Sequence, residues 1–283
     1  MGMAMKMNKD EQALWTEIER WEDAFFAHET TDLEKSYQNW IDKSFAQLGE
    51  EKQQQLLEKV DAVLFQLHAV LQNSRSLDDF RERMLLHAKV FQSDIETIEE
   101  MKGLSVNELR FLAEQHMAKQ RLLALGQGGL AGMGGALLLA LDLPALMALQ
   151  LRSLQQLALT YGYEVKHPLE MMLILKLFHV ATLPKAYQEP AWYGLFREIE
   201  RTDEYTPHFY GSGQQIIASP WTQQLIRQIG KSVVISMLKK KTIQGVPLIG
   251  MAFGAGINYR NTRQVLEIGH RFYQKRLLLE KYL

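Results

Sequence analysis

The chain has 283 residues, no cysteine and a formal charge of −1, with 47% hydrophobic and 23% charged residues. That length supports one large or two small domains with a sizeable core, and the absence of cysteine excludes disulfides, cysteine-ligated metals and a thiol nucleophile. The small total hides a polarity: residues 1–120 hold 23 acids and 14 bases, net −9, and residues 121–283 hold 10 acids and 18 bases, net +8.

Met1 to Asp10 is polar and lacks the apolar stretch of a secretory signal. Lys6 stands where a myristoylation signal needs Ser or Thr. Both point to a cytoplasmic start. Helical periodicity then runs almost throughout. Leu14, Ile18, Trp21 and Phe25 form one apolar stripe, and Leu33, Tyr37, Trp40, Ile41 and Phe45 a second. Leu56, Val60, Val63, Leu67, Val70 and Leu71 form a third. A fourth, Leu77, Phe80, Met84, Phe91, Ile95 and Ile98, opens with Ser76 as N-cap. Each has a polar opposite face, as helices packed on one side do.

Ser105-Val106-Asn107-Glu108 reads as a capping box that opens a helix toward Leu125. Residues 122–141 are then uncharged and hold Gly126, Gly128, Gly129, Gly132, Gly134 and Gly135. Asp142-Leu143-Pro144 reads as an N-cap with proline in the first turn of a new helix. The other reading of Asp142 is a buried carboxylate paired with Arg152. Gly162 is expected as a C-cap after Tyr161, and Pro168 and Pro220 as first-turn residues. Pro184, Pro190 and Pro207 bracket an expected loop-rich region with a turn at Gly211-Ser212-Gly213. A second uncharged run, 242–259, carries Gly245, Pro247, Gly250, Gly254 and Gly256, and a long basic helix follows from Asn258. No alternating strand pattern and no internal repeat is present. The sequence therefore predicts an all-α, multi-helix bundle with two Gly-rich apolar hairpin segments. It divides into an acidic helical region, 1–102, and a basic, Gly-rich core, 103–283, packed as one unit.

The chemistry-bearing motifs are sparse. Gly126-Gln127-Gly128-Gly129-Leu130-Ala131 matches a dinucleotide fingerprint in spacing only, since a helix precedes it and no acid follows at the required distance. The eight histidines are dispersed, so no metal and no cofactor is expected. The basic half lacks a nucleic-acid motif, so no nucleic acid is expected. Asp142 and Glu170 are the acid/base candidates for an enzyme acting on a lipid or other apolar substrate.

Gly128/Gly132 and Gly250/Gly254 have the G-x-x-x-G spacing that lets helix backbones approach, in a membrane or in a homo-oligomer. About 20 apolar residues suffice to span a bilayer. Lys239, Lys240 and Lys241 precede the second run, and Arg260, Arg263, Arg271, Lys275 and Arg276 follow it. Such clusters attract anionic lipid. The expected setting is peripheral to or inserted in the inner membrane, with a membrane surface or a membrane complex as partner. A soluble interaction scaffold is the remaining alternative.

The run GQGGLAGMGGALLLALDLPALMAL (Gly126–Leu149), then Arg152-Ser153-Leu154-Gln155 and Tyr161-Gly162-Tyr163, resembles the central signature of the EcsC family. Gln244 to Met251, with Pro247, and Asn258-Tyr259 resemble its second block, and Tyr273 and Arg276 on the terminal helix also fit. Trp21 and the stretch 37–73 match it more loosely. The chain departs from the family at Leu125 and at Glu170-Met171, where charged residues are common. The resemblance implies a bacterial protein associated with an operon that also encodes an ABC transporter. It implies no activity and no catalytic residue.

Overall fold

A computed structural model describes residues 6–27, 74–133, 135–183, 185–202 and 247–282, with 49 and 51 as isolated positions. Over 128–144 and most of 247–257 it describes the backbone path alone. The expected stripes 33–45 and 56–71, the Gly211–Gly213 turn, Pro220 and Lys239–Lys241 lie outside these residues. The described elements are α1 (Lys9–Phe26), α2 (Arg75–Ala88), a 3-10 turn (Glu99–Gly103), α3 (Val106–Met133), α4 (Gly135–Thr160), α5 (Pro168–Thr182), α6 (Lys185–Thr202) and α7 (Pro247–Tyr282). There is no strand among the described residues, and the fold is all-α.

Local chemistry sets most helix ends. Asn8 accepts from the Glu11 N–H while the Glu11 carboxylate accepts from the Asn8 N–H, a capping box at α1. Ser105 and Glu108 make the same exchange before α3. The α4 terminus closes with the Tyr163 N–H on the Ala158 carbonyl and the Gly162 N–H on the Leu159 carbonyl. This pattern needs a left-handed residue, and Gly162 supplies it at φ +81°. Pro168 occupies the first turn of α5.

Four expectations are corrected. α4 runs unbroken from Gly135 to Thr160, so Asp142 does not cap a helix and Pro144 lies inside one. Pro190 likewise lies inside α6, so residues 185–202 are helix rather than loop. α2 starts after Ser74, not Ser76, and ends at Ala88. Phe91, Ile95 and Ile98 therefore belong to the turns that follow it. The last helix starts at Pro247 instead of Asn258.

The long α7 is the axis of the bundle. From Val265 to Leu278 it is buried on nearly all sides, with only Glu267, Arg271 and Lys275 partly open. Side-chain contacts fix how its neighbours run. Lys102 pairs with Glu280 and Arg110 shares Glu17 with Arg271, so α3 is antiparallel to α7. Gln150 donates to Thr262 and Tyr161 meets His270, so α4 is parallel. Glu170 binds Arg276 and Gln264 donates to the Ala181 carbonyl, so α5 is antiparallel. Glu11 binds Lys281 and Trp21 donates to Glu267, so α1 is antiparallel too.

These directions give the bundle two ends. The last turns of α3, the first of α4 and the first of α7 point one way, and they carry the two Gly-rich runs. Tyr161, Tyr163, Lys102, Glu170 and Glu280 gather at the other. We call these the glycine end and the tyrosine end. Between them, Trp192, Phe178, Phe272 and Leu154 fill the core, each under 3% exposed.

Candidate functional site

At the tyrosine end the chain buries charge. Glu170 sits in the first turn of α5, where the helix dipole favours a carboxylate, and is 3% exposed. One of its oxygens accepts from Tyr273 at 2.5 Å and the other from Arg276 at 2.6 Å. The Arg276 Nε donates to Glu280 at 2.7 Å. Glu280 also accepts from Lys102 at 2.9 Å and from Tyr163 at 3.1 Å. The Arg276 guanidinium carbon lies 3.9 Å and the Lys102 ammonium 4.0 Å from the centre of the Tyr163 ring.

Burial opposes the charge of Arg276, but Glu170, Tyr163 and Glu280 together outweigh it and hold the guanidinium firmly protonated. Glu280 is also desolvated, yet Arg276 and Lys102 draw its pKa below the usual range. Burial and the neighbouring Glu170 raise the Tyr273 hydroxyl well above its ordinary value. The network is closed, since both Glu170 oxygens and two nitrogens of Arg276 have partners. A carboxylate held this way ties α5 to α7.

Beside it, Tyr161 Oη lies 2.9 Å from His270 Nδ1, and Gln274 Nε2 lies 3.0 Å from His270 Nε2. Burial lowers the His270 pKa to about 3. Gly162 is packed too tightly for any side chain: a Cβ there would lie 2.6 Å from Lys102 Cγ and 3.0 Å from the Lys102 nitrogen. The Tyr-Gly-Tyr motif is thus the joint where α4, the 3-10 turn and α7 meet.

A second polar surface explains much of the charge split. On α1, Glu11 binds Lys281, Glu17 binds both Arg110 and Arg271, and Glu22 binds Lys275. Trp192 also donates to Glu22 at 2.6 Å. Glu11 and Glu17 resist desolvation because these cations, with the Tyr282 hydroxyl at Glu11, hold their pKa values down. These contacts occupy part of the basic cluster that follows the second uncharged run. Arg271, Lys275 and Arg276 are all paired internally, whereas Arg260 and Arg263 are exposed.

The glycine end holds most of the other candidates. Gly128 and Gly132 lie in α3, and Gly250, Gly254 and Pro247 in α7, by backbone path. Asn258 is buried and Arg152 half-buried. Leu122, Leu123 and Leu125 on the adjoining turn of α3 are 67%, 49% and 42% exposed. Among the described residues no helix is long and apolar enough to cross a membrane.

Two proposed pairings fail on helix geometry. Asp142 and Arg152 are ten residues apart on one continuous helix, about 15 Å along its axis. Asp142 is also about 27 Å along α4 from Thr160, whereas Glu170 sits at the tyrosine end. Sequence reasoning missed the Lys102–Glu280 pair and the acid–base register of α1 on α7. The i, i+4 spacing of Glu267, Arg271 and Lys275 was a visible signal for a charged stripe, but its partner helix was not visible.

No solved structure matches the chain. Two Bacillus subtilis (strain 168) proteins do. The uncharacterized protein YdbA is 26% identical over 197 residues, covering 70% of this chain and 68% of YdbA. Protein EcsC is 25% identical over 199 residues, covering 70% of this chain and 76% of that protein. The model of the EcsC protein family matches residues 12–278, from the first turn of α1 to the last turns of α7. The family signature read at Gly126–Leu149 and Tyr161–Tyr163 is therefore embedded in a match that spans the bundle, and the chain belongs to the EcsC protein family.

Proposed function

We propose that this protein is a non-enzymatic docking protein that attaches by its glycine end to the cytoplasmic face of a membrane, or to a membrane complex such as a transporter. The observation that carries this reading is the convergence of both uncharged Gly-rich runs on one end, where α3 also leaves Leu122, Leu123 and Leu125 open to solvent. Adjacent exposed leucines favour an apolar or interfacial partner over water. Arg260 and Arg263, exposed just beyond the second run, add cationic charge beside it. The alternative of an enzyme on an apolar substrate relied on Asp142 and Glu170 acting together, and the path of α4 separates them.

Flotation tests the proposal. The chain should rise with phosphatidylglycerol-containing vesicles at low salt and less with phosphatidylcholine alone. Residence in the bottom fraction with both would overturn it.

A further inference from the structure

α1 covers part of a cationic face of α7 that extends beyond it. At 100° per residue, Arg260, Arg263, Arg271, Lys275 and Lys281 all fall within about 60° of one line along α7. They form one cationic face, and α1 lies over only its second half. There each base has an α1 carboxylate: Arg271 has Glu17 at 2.8 Å, Lys275 has Glu22 at 2.5 Å and Lys281 has Glu11 at 2.7 Å. Arg110 of α3 joins through Glu17 at 2.7 Å. Arg260 and Arg263, beyond the reach of α1, are exposed.

The covered face is also aromatic. The Lys275 ammonium lies 5.0 Å from the Phe196 ring centre and 5.5 Å from that of Tyr193. Trp192 lies beneath Trp21 of α1, ring centres 5.4 Å apart. Bases edged by Trp, Tyr and Phe are the composition that settles at a lipid headgroup layer. α1 itself carries six acids and two bases, net −4. An anionic surface would repel α1 while attracting the face beneath it, so each force acts in the same direction.

We propose that α1 is a displaceable acidic cover, and that phosphate headgroups of anionic lipid replace Glu11, Glu17 and Glu22 on Arg271, Lys275, Lys281 and Arg110. This rests on the membrane-docking reading above and extends it: the glycine end makes first contact, and release of α1 lets the whole cationic face of α7 lie along the surface. Leu14 and Ile18, buried on α1, and Trp15, Trp21, Phe25 and Phe26, packed against the core, oppose release, so the cover stays closed in solution.

The cysteine-free chain allows a clean test. Spin labels at Ala13→Cys and Ala118→Cys, both exposed positions, report the α1–α3 distance in the full-length chain. With phosphatidylcholine vesicles the distance should match that in solution. With phosphatidylglycerol vesicles a longer-distance population should appear. Glu17→Gln, which removes the carboxylate shared by two arginines, should enlarge that population and tighten vesicle binding about five-fold. Binding to anionic vesicles with the distance unchanged overturns the cover and leaves docking standing. No binding by the wild-type chain or the variant overturns docking itself, and the cover with it.

Discussion

The two ends of the bundle solve opposite problems. The tyrosine end buries Glu170 and Arg276 and ties them to the more exposed Glu280 and Lys102 in one hydrogen-bonded network beside Tyr163. The glycine end carries two uncharged runs and leaves leucines in water. One end therefore holds the helices in register, and the proposed docking assigns the other to a partner outside the chain. Stability should be concentrated at the first and binding at the second.

The sharpest way to break this contrast is Arg276→Ala. It leaves the buried Glu170 carboxylate with Tyr273 as its remaining side-chain donor, and loss of the cation from a buried pair costs about 3–5 kcal/mol. Denaturant melts should show it, and the double variant Glu170→Gln/Arg276→Met should recover part of the loss. A shift under 1 kcal/mol would mean that the network is solvated in solution.

Gly162→Ala comes next, at about 3 kcal/mol. It combines a left-handed backbone with contact against Lys102 and the Ile98 carbonyl, which lies 3.1 Å from the added carbon. An unchanged melting temperature would place the joint elsewhere.

Acid should act next. Burial holds His270 to about 3 and His116 and His179 to about 4, against 6.5 in an exposed imidazole. The unfolded chain then binds protons that the folded chain refuses, so stability is full above pH 6.5 and falls as pH drops toward 4. Each histidine contributes about 1.4 kcal/mol per pH unit over that window. A melting temperature that stays flat from pH 7 to 5 would contradict this. Below about 4.5, protonation of Glu11, Glu17 and Glu280, whose folded pKa values are depressed, adds a further loss.

The smallest expected stability effect lies at the other end. Leu122→Ser with Leu125→Ser should change stability by about 0.5 kcal/mol or less, since exposed positions tolerate polar replacement. The same pair should reduce flotation with anionic vesicles. A large stability loss without any loss of flotation would reverse the contrast between the ends.

Much of the fold was legible because it is written locally. The Ser105–Glu108 box, Gly162 and Pro168 act within a few residues, and the structure places each at the expected helix end. Proline misled where local rules are weakest. Pro144 and Pro190 sit inside helices despite the missing N–H. The charge split was also misread in part, because one sequence shows the sign of a residue but not its neighbour. Glu17 and Arg271 are 254 positions apart and meet at 2.8 Å. Glu170 stood out in the sequence only as an acid/base candidate, because its partners on α7 lie more than 100 positions away.

The placement of α7 at the axis has a consequence for how the chain acquires its fold. Every described helix that packs on it precedes it in synthesis, so α1, α3, α4 and α5 emerge before their common surface exists. Contacts such as Glu11 with Lys281 close loops of 270 residues, and long-range closure of that kind slows folding. Until α7 arrives, buried faces that pack on it, such as Leu154 and Leu157 of α4 against Gly269, lack their partner, the condition in which chains aggregate or recruit chaperones.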